Sequence, residues 1–271
     1  MEFLSSNDFF ISEKSTIFIE QRRPPTDCVE FFSDFWEIMF VQNGTGIHIL
    51  NDQAYLMNSG TVCFIRPGDH QFFEKVDQLT LINVLYRSPD SFLFLTDIAR
   101  FLPNMNSQEH QTHWQLSHED IQRAKIAIQG IAVLSTDTST ENIAAEEGLF
   151  LQLLVMLHGL CCQKPSDRDR EHQLQSLMSW LQHNFNKNVD WSQLAKEFSI
   201  PLRTLHRQLK QSTGMTPHRY LMLLRLLEAR KQLKQSTKTI EEIAHTCGFT
   251  NRSHFATLFR KHFSQSPKRF R

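Results

Sequence analysis

The 271-residue chain carries no net charge, no uncharged apolar run of bilayer length and no cysteine pair of the CxxC kind. A membrane-spanning helix needs about 20 consecutive apolar residues, so no membrane partner is expected. The opening MEFLSSNDFF lacks the basic stretch and apolar core of a signal peptide, which predicts a soluble, cytoplasmic protein. The cysteines (Cys28, Cys63, Cys161, Cys162 and Cys247) number five and are not spaced for a zinc knuckle or a redox dithiol. Buried, reduced thiols are the expected reading. A phosphate-binding glycine loop and a recognisable nucleophile–base pair are also missing. No catalytic residue is therefore expected, and the chain does not read as an enzyme.

The zero net charge conceals a division. From His172 to Arg271 there are 17 lysines and arginines against 5 acidic residues, a balance of +12. The remaining 171 residues hold 12 basic and 24 acidic groups, a balance of −12. Such asymmetry suggests a nucleic-acid-binding module joined to an acidic sensor or partner domain.

The basic half contains a repeat. Leu194-Ala195 and Ser199-Ile200 recur as Ile243-Ala244 and Gly248-Phe249, at an offset of 49. Leu205, Leu209, Thr216-Pro217 and Tyr220 then recur as Phe255, Phe259, Ser266-Pro267 and Phe270, at an offset of 50. One extra residue in the second loop accounts for the change, and a repeat of this kind is structural evidence in itself. Each copy reads as helix, tight turn, helix. Asp190 is placed to cap the first helix, whose inner face is Leu194, Ala195 and Phe198. Ala195 and Ala244 suit a close helix crossing. Gly248 supplies the left-handed backbone that the turn of a helix-turn-helix needs, and Ser199 stands at that place in the first copy. The following helix is expected to bury Leu202, Leu205 and Leu209 in the first copy, and Phe255, Leu258 and Phe259 in the second.

The outward residues suit DNA. Arg203, Thr204, His206, Arg207 and Lys210 form the candidate set of the first unit; Asn251, Arg252, Ser253, Thr257, Arg260 and Lys261 form that of the second. Arginine can pair with guanine and asparagine with adenine in the major groove, while lysines and the later arginines suit phosphates. Between the copies Pro217 to Gln235 reads as a 19-residue helix, about 28 Å long at roughly 1.5 Å per residue. That approaches the ~34 Å between successive major-groove faces. Leu221, Leu224 and Leu227 also mark it as a core helix.

TGMTPHRYLMLLRLLEARKQL and IEEIAHTCGFTNRSHFATLFRKHFSQSPKRFR resemble the signature of the AraC family of bacterial regulators. The resemblance covers Leu174 to Arg271 and implies seven helices holding two adjacent helix-turn-helix units on double-stranded promoter DNA. FSIPLRTLHRQLKQSTGMTPHRYL is most similar to the branch of that family whose activators answer to L-rhamnose.

Before the basic half, Phe35–Val41, Ile47–Leu50, Tyr55–Met57, Thr61–Ile65 and Leu79–Leu85 read as short strands. They are separated by turn residues such as Asn43-Gly44, Asn51-Asp52 and Pro67-Gly68-Asp69. This spacing predicts a jelly-roll or cupin-like β-barrel. Two helical stretches follow, marked by Ile121, Ala124, Ile128 and Ala132, then by Leu149, Leu153, Leu157 and Leu160. They either cover the barrel or pair with a second copy. The predicted organisation is thus an α+β two-domain chain: a cupin-like sensing and dimerisation domain at 1–163, a linker at 164–171, and an all-α domain at 172–271, with its two helix-turn-helix units joined by a linker helix.

GTGIHILN, GTVCFIRPGD and NVLYRSPDSFLFL carry the same resemblance through the first domain. It implies a monosaccharide effector inside the barrel, L-rhamnose or a different sugar or small molecule, a homodimer, and a regulator that works with RNA polymerase as an activator or, in the alternative reading, as a repressor. It also implies histidines just before and within the first long strand, where this chain has Phe31-Phe32-Ser33-Asp34-Phe35-Trp36-Glu37. Trp36 either stacks on a sugar face in their place or is plain core. Trp36, Glu37, His48 and His70 form the candidate ligand set. No His-x-His pair occurs in the barrel region, so neither a metal nor another cofactor is expected.

Overall fold

A computed structural model describes residues 2–10, 12, 15–24, 29–103, 112–135, 139–162 and 170–271. Residues 164–169 of the expected linker and Cys28 lie outside these, as do the side chains of Cys161 and Cys162. The chain forms two compact units, one of residues 1–48 and 57–164, the other of residues 49–56 and 165–271.

Among the described residues eight strands precede the α-helices: β1 (Glu2–Leu4), β2 (Ile17–Arg22), β3 (Phe31–Ser33), β4 (Trp36–Leu50), β5 (Gln53–Met57), β6 (Thr61–Ile65), β7 (Gln71–Tyr86) and β8 (His113–Gln115). They join in one sheet ordered β1-β3-β7-β4-β6-β8, with β2 on β7 and β5 on β4. Asn43-Gly44 does not end a strand, as its turn chemistry predicted. β4 runs on through it for 15 residues. Gly44 has φ +82°, and a Cβ there would lie 2.3 Å from the backbone of Gln78. On β7, Lys75 and Gln78 are also left-handed. Two long strands therefore bend where they touch, and the glycine removes the side chain that would hold them apart.

Helices α1 (His118–Leu134) and α2 (Thr140–Cys162) cover one face of this sheet. Ile38, Phe40, Val62, Phe64, Val84 and Tyr86 meet Ala124, Ile128, Ile131, Phe150, Leu153, Leu154 and Leu157 in one apolar cluster. The leucines predicted either to cover the barrel or to dimerise do the former: Leu153 and Leu157 are buried, and Leu149 and Leu160 pack against the cluster. Ile131 is buried on α1, whereas Ala132 is exposed, a shift of one position from the predicted stripe. α2 is long and apolar enough to cross a membrane by composition. Here it is the core helix of its unit. Its buried Glu147 accepts the backbone N–H groups of Leu93, Phe94 and Leu95 at 2.7, 2.7 and 3.1 Å.

The second unit holds seven helices among the described residues: α3 (Arg170–Asn184), α4 (Trp191–Glu197), α5 (Leu202–Thr213), α6 (Pro217–Gln235), α7 (Ile240–Thr246), α8 (Arg252–Phe263) and α9 (Pro267–Phe270). The repeat is reproduced bond for bond. Ile200 N–H donates to Ala195 O and Phe249 N–H to Ala244 O, each at 2.9 Å. These are the six-to-one bonds of a Schellman turn, 49 residues apart. Leu205 N–H to Pro201 O and Phe255 N–H to Asn251 O are then 50 apart, as are Tyr220 N–H to Thr216 O and Phe270 N–H to Ser266 O. Ser199 is left-handed at φ 54°, like Gly248 at 81°. α6 buries Leu221, Leu224 and Leu227, together with Leu223, Leu226, Leu233 and others. It is the shared core of both copies.

Candidate nucleic-acid interface and effector site

Each recognition helix is set by its own cap and core. Asp190 accepts from Ser192 N–H at 2.8 Å and Gln193 N–H at 3.1 Å, capping α4 as expected. α5 is anchored by buried Leu205, Leu209 and Thr213. Leu202 does not join them: it is 39% exposed, at the first turn, beside Ala195, Lys196 and Ile200. Arg203, His206, Arg207 and Lys210 are all exposed, and Thr204 is half-buried. Residues 203, 207 and 210 fall on one stripe of the helix.

α8 is anchored by Phe255 and Phe259, with Leu258 half-buried against the same cluster. Arg252, Ser253, Thr257, Arg260 and Lys261 are exposed, together with His254, which sequence reasoning did not single out. Asn251, one of the expected DNA-facing residues, also caps this helix. Its Oδ1 accepts from Ser253 N–H at 2.7 Å and His254 N–H at 3.2 Å, so the side chain is the N-cap of α8. Thr257 Oγ1 likewise donates back to Ser253 O at 3.0 Å, which leaves its methyl group outward.

The two units are tied by Arg225 on α6, which the sequence did not announce. Its Nε donates to Phe185 O at 2.8 Å and its Nη2 to Lys187 O at 2.9 Å, just before the first unit. Its Nη1 donates to Gly248 O at 2.8 Å, in the turn of the second. A Cβ on Gly248 would sit 2.7 Å from Asn186 O, so the two segments are in direct contact.

In the first unit the sheet face turned away from the helices holds a buried polar chain. Strand alternation and register put Glu37 and Met39 of β4 on this face beside Cys63 and Ile65 of β6, with Cys63 opposite His113 of β8. Thr112 Oγ1 lies 2.8 Å from His113 Nδ1, and His113 Nε2 lies 2.8 Å from His48 Nδ1. His48 Nε2 is 2.9 Å from Gln71 Oε1, and Gln71 Nε2 donates to Glu37 Oε2 at 3.1 Å. The amide fixes the direction. Gln71 gives its N–H to Glu37, so its oxygen accepts from His48 Nε2–H. His48 Nδ1 then accepts from His113 Nε2–H, and His113 Nδ1 accepts from the Thr112 hydroxyl. Both imidazoles are neutral in this arrangement. Burial accounts for that: it pushes His48 down to about 4 and His113 well below its usual value. Burial also pushes Glu37 up to about 7, against the pull of Arg22 and of the Gln71 hydrogen bond.

Of the four candidate ligand residues, Glu37 and His48 belong to this chain. Trp36 cannot share it, since neighbours on a strand face opposite ways. It stacks on Tyr86 at 6.0 Å, among the residues that pack under the helices. His70 lies against Phe32, with ring centres 5.1 Å apart. Gln71, His113 and Cys63 are additions that only the register brings in. The imidazoles of this chain come from the far end of β4 and from β8.

A family model for an AraC-like ligand binding domain matches residues 15–154, and one for a helix-turn-helix domain matches residues 194–271. The chain is 49% identical over 271 residues to the HTH-type transcriptional activator RhaS of Pectobacterium carotovorum subsp. carotovorum (strain PC1), covering 100% of this chain and 97% of that one. It is 44% identical over the same length to the HTH-type transcriptional activator RhaS of Yersinia pestis (strain Pestoides F), covering 100% and 99%. A sensor-type β domain and a doubled helix-turn-helix thus recur together and in order, and the chain belongs to the AraC family of DNA-binding transcriptional regulators, not to an enzyme family.

Proposed function

We propose that this protein is a cytoplasmic transcriptional activator of a sugar-catabolic operon, with L-rhamnose as its effector. The observation that carries this reading is its likeness to activators named RhaS, which runs through both domains without a break. Sensor and output are therefore matched together. The geometry agrees. Thr112, His113, His48, Gln71 and Glu37 form a buried chain of donors and acceptors, which a monosaccharide's hydroxyls can join by exchanging partners. Ligand bound there shifts the equilibrium towards the arrangement that engages promoter DNA and RNA polymerase, by its differential affinity for the two states.

A homodimer is part of the same reading. Ile126 and Val133 lie one heptad apart on α1 and are 70% and 72% exposed, an apolar stripe that a second copy can cover. Ile126→Glu with Val133→Glu is expected to give a monomer in sedimentation; an unchanged dimer places the interface elsewhere. For the effector, a thermal-shift panel of monosaccharides is expected to show stabilisation by L-rhamnose, lost in Gln71→Ala. Stabilisation by another sugar and none by L-rhamnose replaces the ligand and leaves the class intact.

A further inference from the structure

We propose that His48, Cys63 and His113 form a binding site for one soft divalent ion of the Zn²⁺ class, held by two imidazole nitrogens and a thiolate. The ligand atoms of these three residues all lie within 4.8 Å of one another. They come from three adjacent strands, β4, β6 and β8, and Cys63 is the direct cross-strand partner of His113. Around a tetrahedral ion, with bonds of about 2.0–2.1 Å to nitrogen and 2.3 Å to sulfur, ligand atoms stand roughly 3.3–3.6 Å apart. The facing nitrogens of His48 and His113 are now 2.8 Å apart, so loading requires them to part by about half an ångström. The Cys63 sulfur, within 4.8 Å of both nitrogens, also has to settle to about 3.6 Å from each.

The surroundings are those of a built site. The other ring nitrogen of each histidine is already held, His48 Nε2 by Gln71 and His113 Nδ1 by Thr112. Such outer partners orient metal-binding imidazoles. Phe73 stacks on His48 with ring centres 5.0 Å apart and fixes the ring plane. His48 and Cys63 have no exposed surface, whereas His113 is half-buried and gives the ion a way in. Two nitrogens and a sulfur select Zn²⁺ and its neighbours over Mg²⁺ or Ca²⁺, which prefer oxygen. Three protein ligands leave the fourth position to an exchangeable oxygen.

The proton balance closes. Burial keeps Cys63 a thiol in the empty site, and the arriving dication displaces its proton to solvent. His113 then shifts its own proton from Nε2 to Nδ1, where the Thr112 oxygen accepts it. Nε2 is thereby freed for the ion, and no oxidant or reductant is needed. The proposal shares His48 and His113 with the effector site proposed above, so ion and sugar compete for these nitrogens whichever sugar it is.

The test is a Co²⁺ titration of the full-length protein after chelator treatment. The expected result is one equivalent of four-coordinate cobalt, with a thiolate-to-cobalt charge-transfer band, displaced by Zn²⁺. Cys63→Ser is expected to remove that band, and His113→Ala to weaken Co²⁺ binding at least tenfold. Thr112→Val removes the outer partner only and is expected to cost about tenfold. His118→Asn, exposed at the start of α1 and outside the cluster, is expected to change nothing. A wild-type protein without the charge-transfer band, or a band that survives Cys63→Ser, overturns the proposal even if another variant fails to fold. Thermal shifts with sugar on the chelator-treated protein decide the effector separately.

Discussion

Four residues of the second unit sit in the left-handed region in matching pairs: Ser199 and Gly248 at the turns, Gly214 and Ser264 after α5 and α8. Each copy has one glycine and one serine, in exchanged places. A side chain in that region costs roughly 1–2 kcal/mol, so Ser199→Gly is expected to raise unfolding stability by about 0.5–1 kcal/mol, after allowing for the extra freedom of glycine in the unfolded chain. Gly248→Ala is expected to lose more, about 2–3 kcal/mol, because its new methyl group also meets Asn186 O. Denaturant melts of the two variants check both signs. Glu37 supports a second residue-level prediction. Its folded pKa of about 7 lies above the ordinary 4.5, so the folded state holds this proton more tightly than the unfolded one. The associated stability is complete below about pH 4.5 and is lost as pH rises through 7. Glu37→Gln, which mimics the protonated form, is therefore expected to gain about 1–3 kcal/mol on the wild type between pH 4.5 and 8. Parallel stability–pH curves for the two proteins would contradict that.

Among the elements, helices were more legible than strands, for a physical reason. The helix-turn-helix copies announce themselves because their buried positions alternate with exposed basic ones, and each turn has a special backbone residue. β4 and β6 are covered on both faces, so their sequences run apolar without alternation, and only turn residues punctuate them. Asn43-Gly44 then reads as a hairpin, although the glycine serves a bend inside one long strand. The pairing of Cys63 with His113 was beyond the sequence for the same reason: 50 residues separate them, and nothing local sets their register. The cap made by Asn251 was not read from the sequence, because a cap and a base-reading asparagine have the same position at a helix start. Arg225 was missed because it looks like one more cation on a basic helix. It donates to three backbone carbonyls of two separate segments. Arg225→Ala is expected to cost about 2–3 kcal/mol of stability, as hydrogen bonds from a charged donor do. It is also expected to weaken binding to a full two-part operator more than to a fragment holding one part. Equal losses on both would reduce Arg225 to a purely structural residue.

For the whole molecule, the charge division and the exposed stripes set how DNA binding responds to salt. Arg207 is expected to read a base: Arg207→Ala should weaken specific binding by about 1–3 kcal/mol and spare binding to random DNA. Lys210, one turn further along α5, is expected to hold a phosphate. Lys210→Ala should weaken both alike and lower the slope of log affinity against log salt by about 1. Fluorescence titrations at several salt concentrations separate the two. The spacer described above has a further consequence, which falls on the promoter rather than on the protein. With α5 and α8 as reading heads fastened to a 19-residue helix, the operator is expected to obey a rule of phase as well as of sequence. Five base pairs inserted between its two contacted segments turn the second by about half a revolution, out of reach of a head that cannot follow. Single-base changes can therefore grade the strength of such an operator, but a short insertion silences half of it at once.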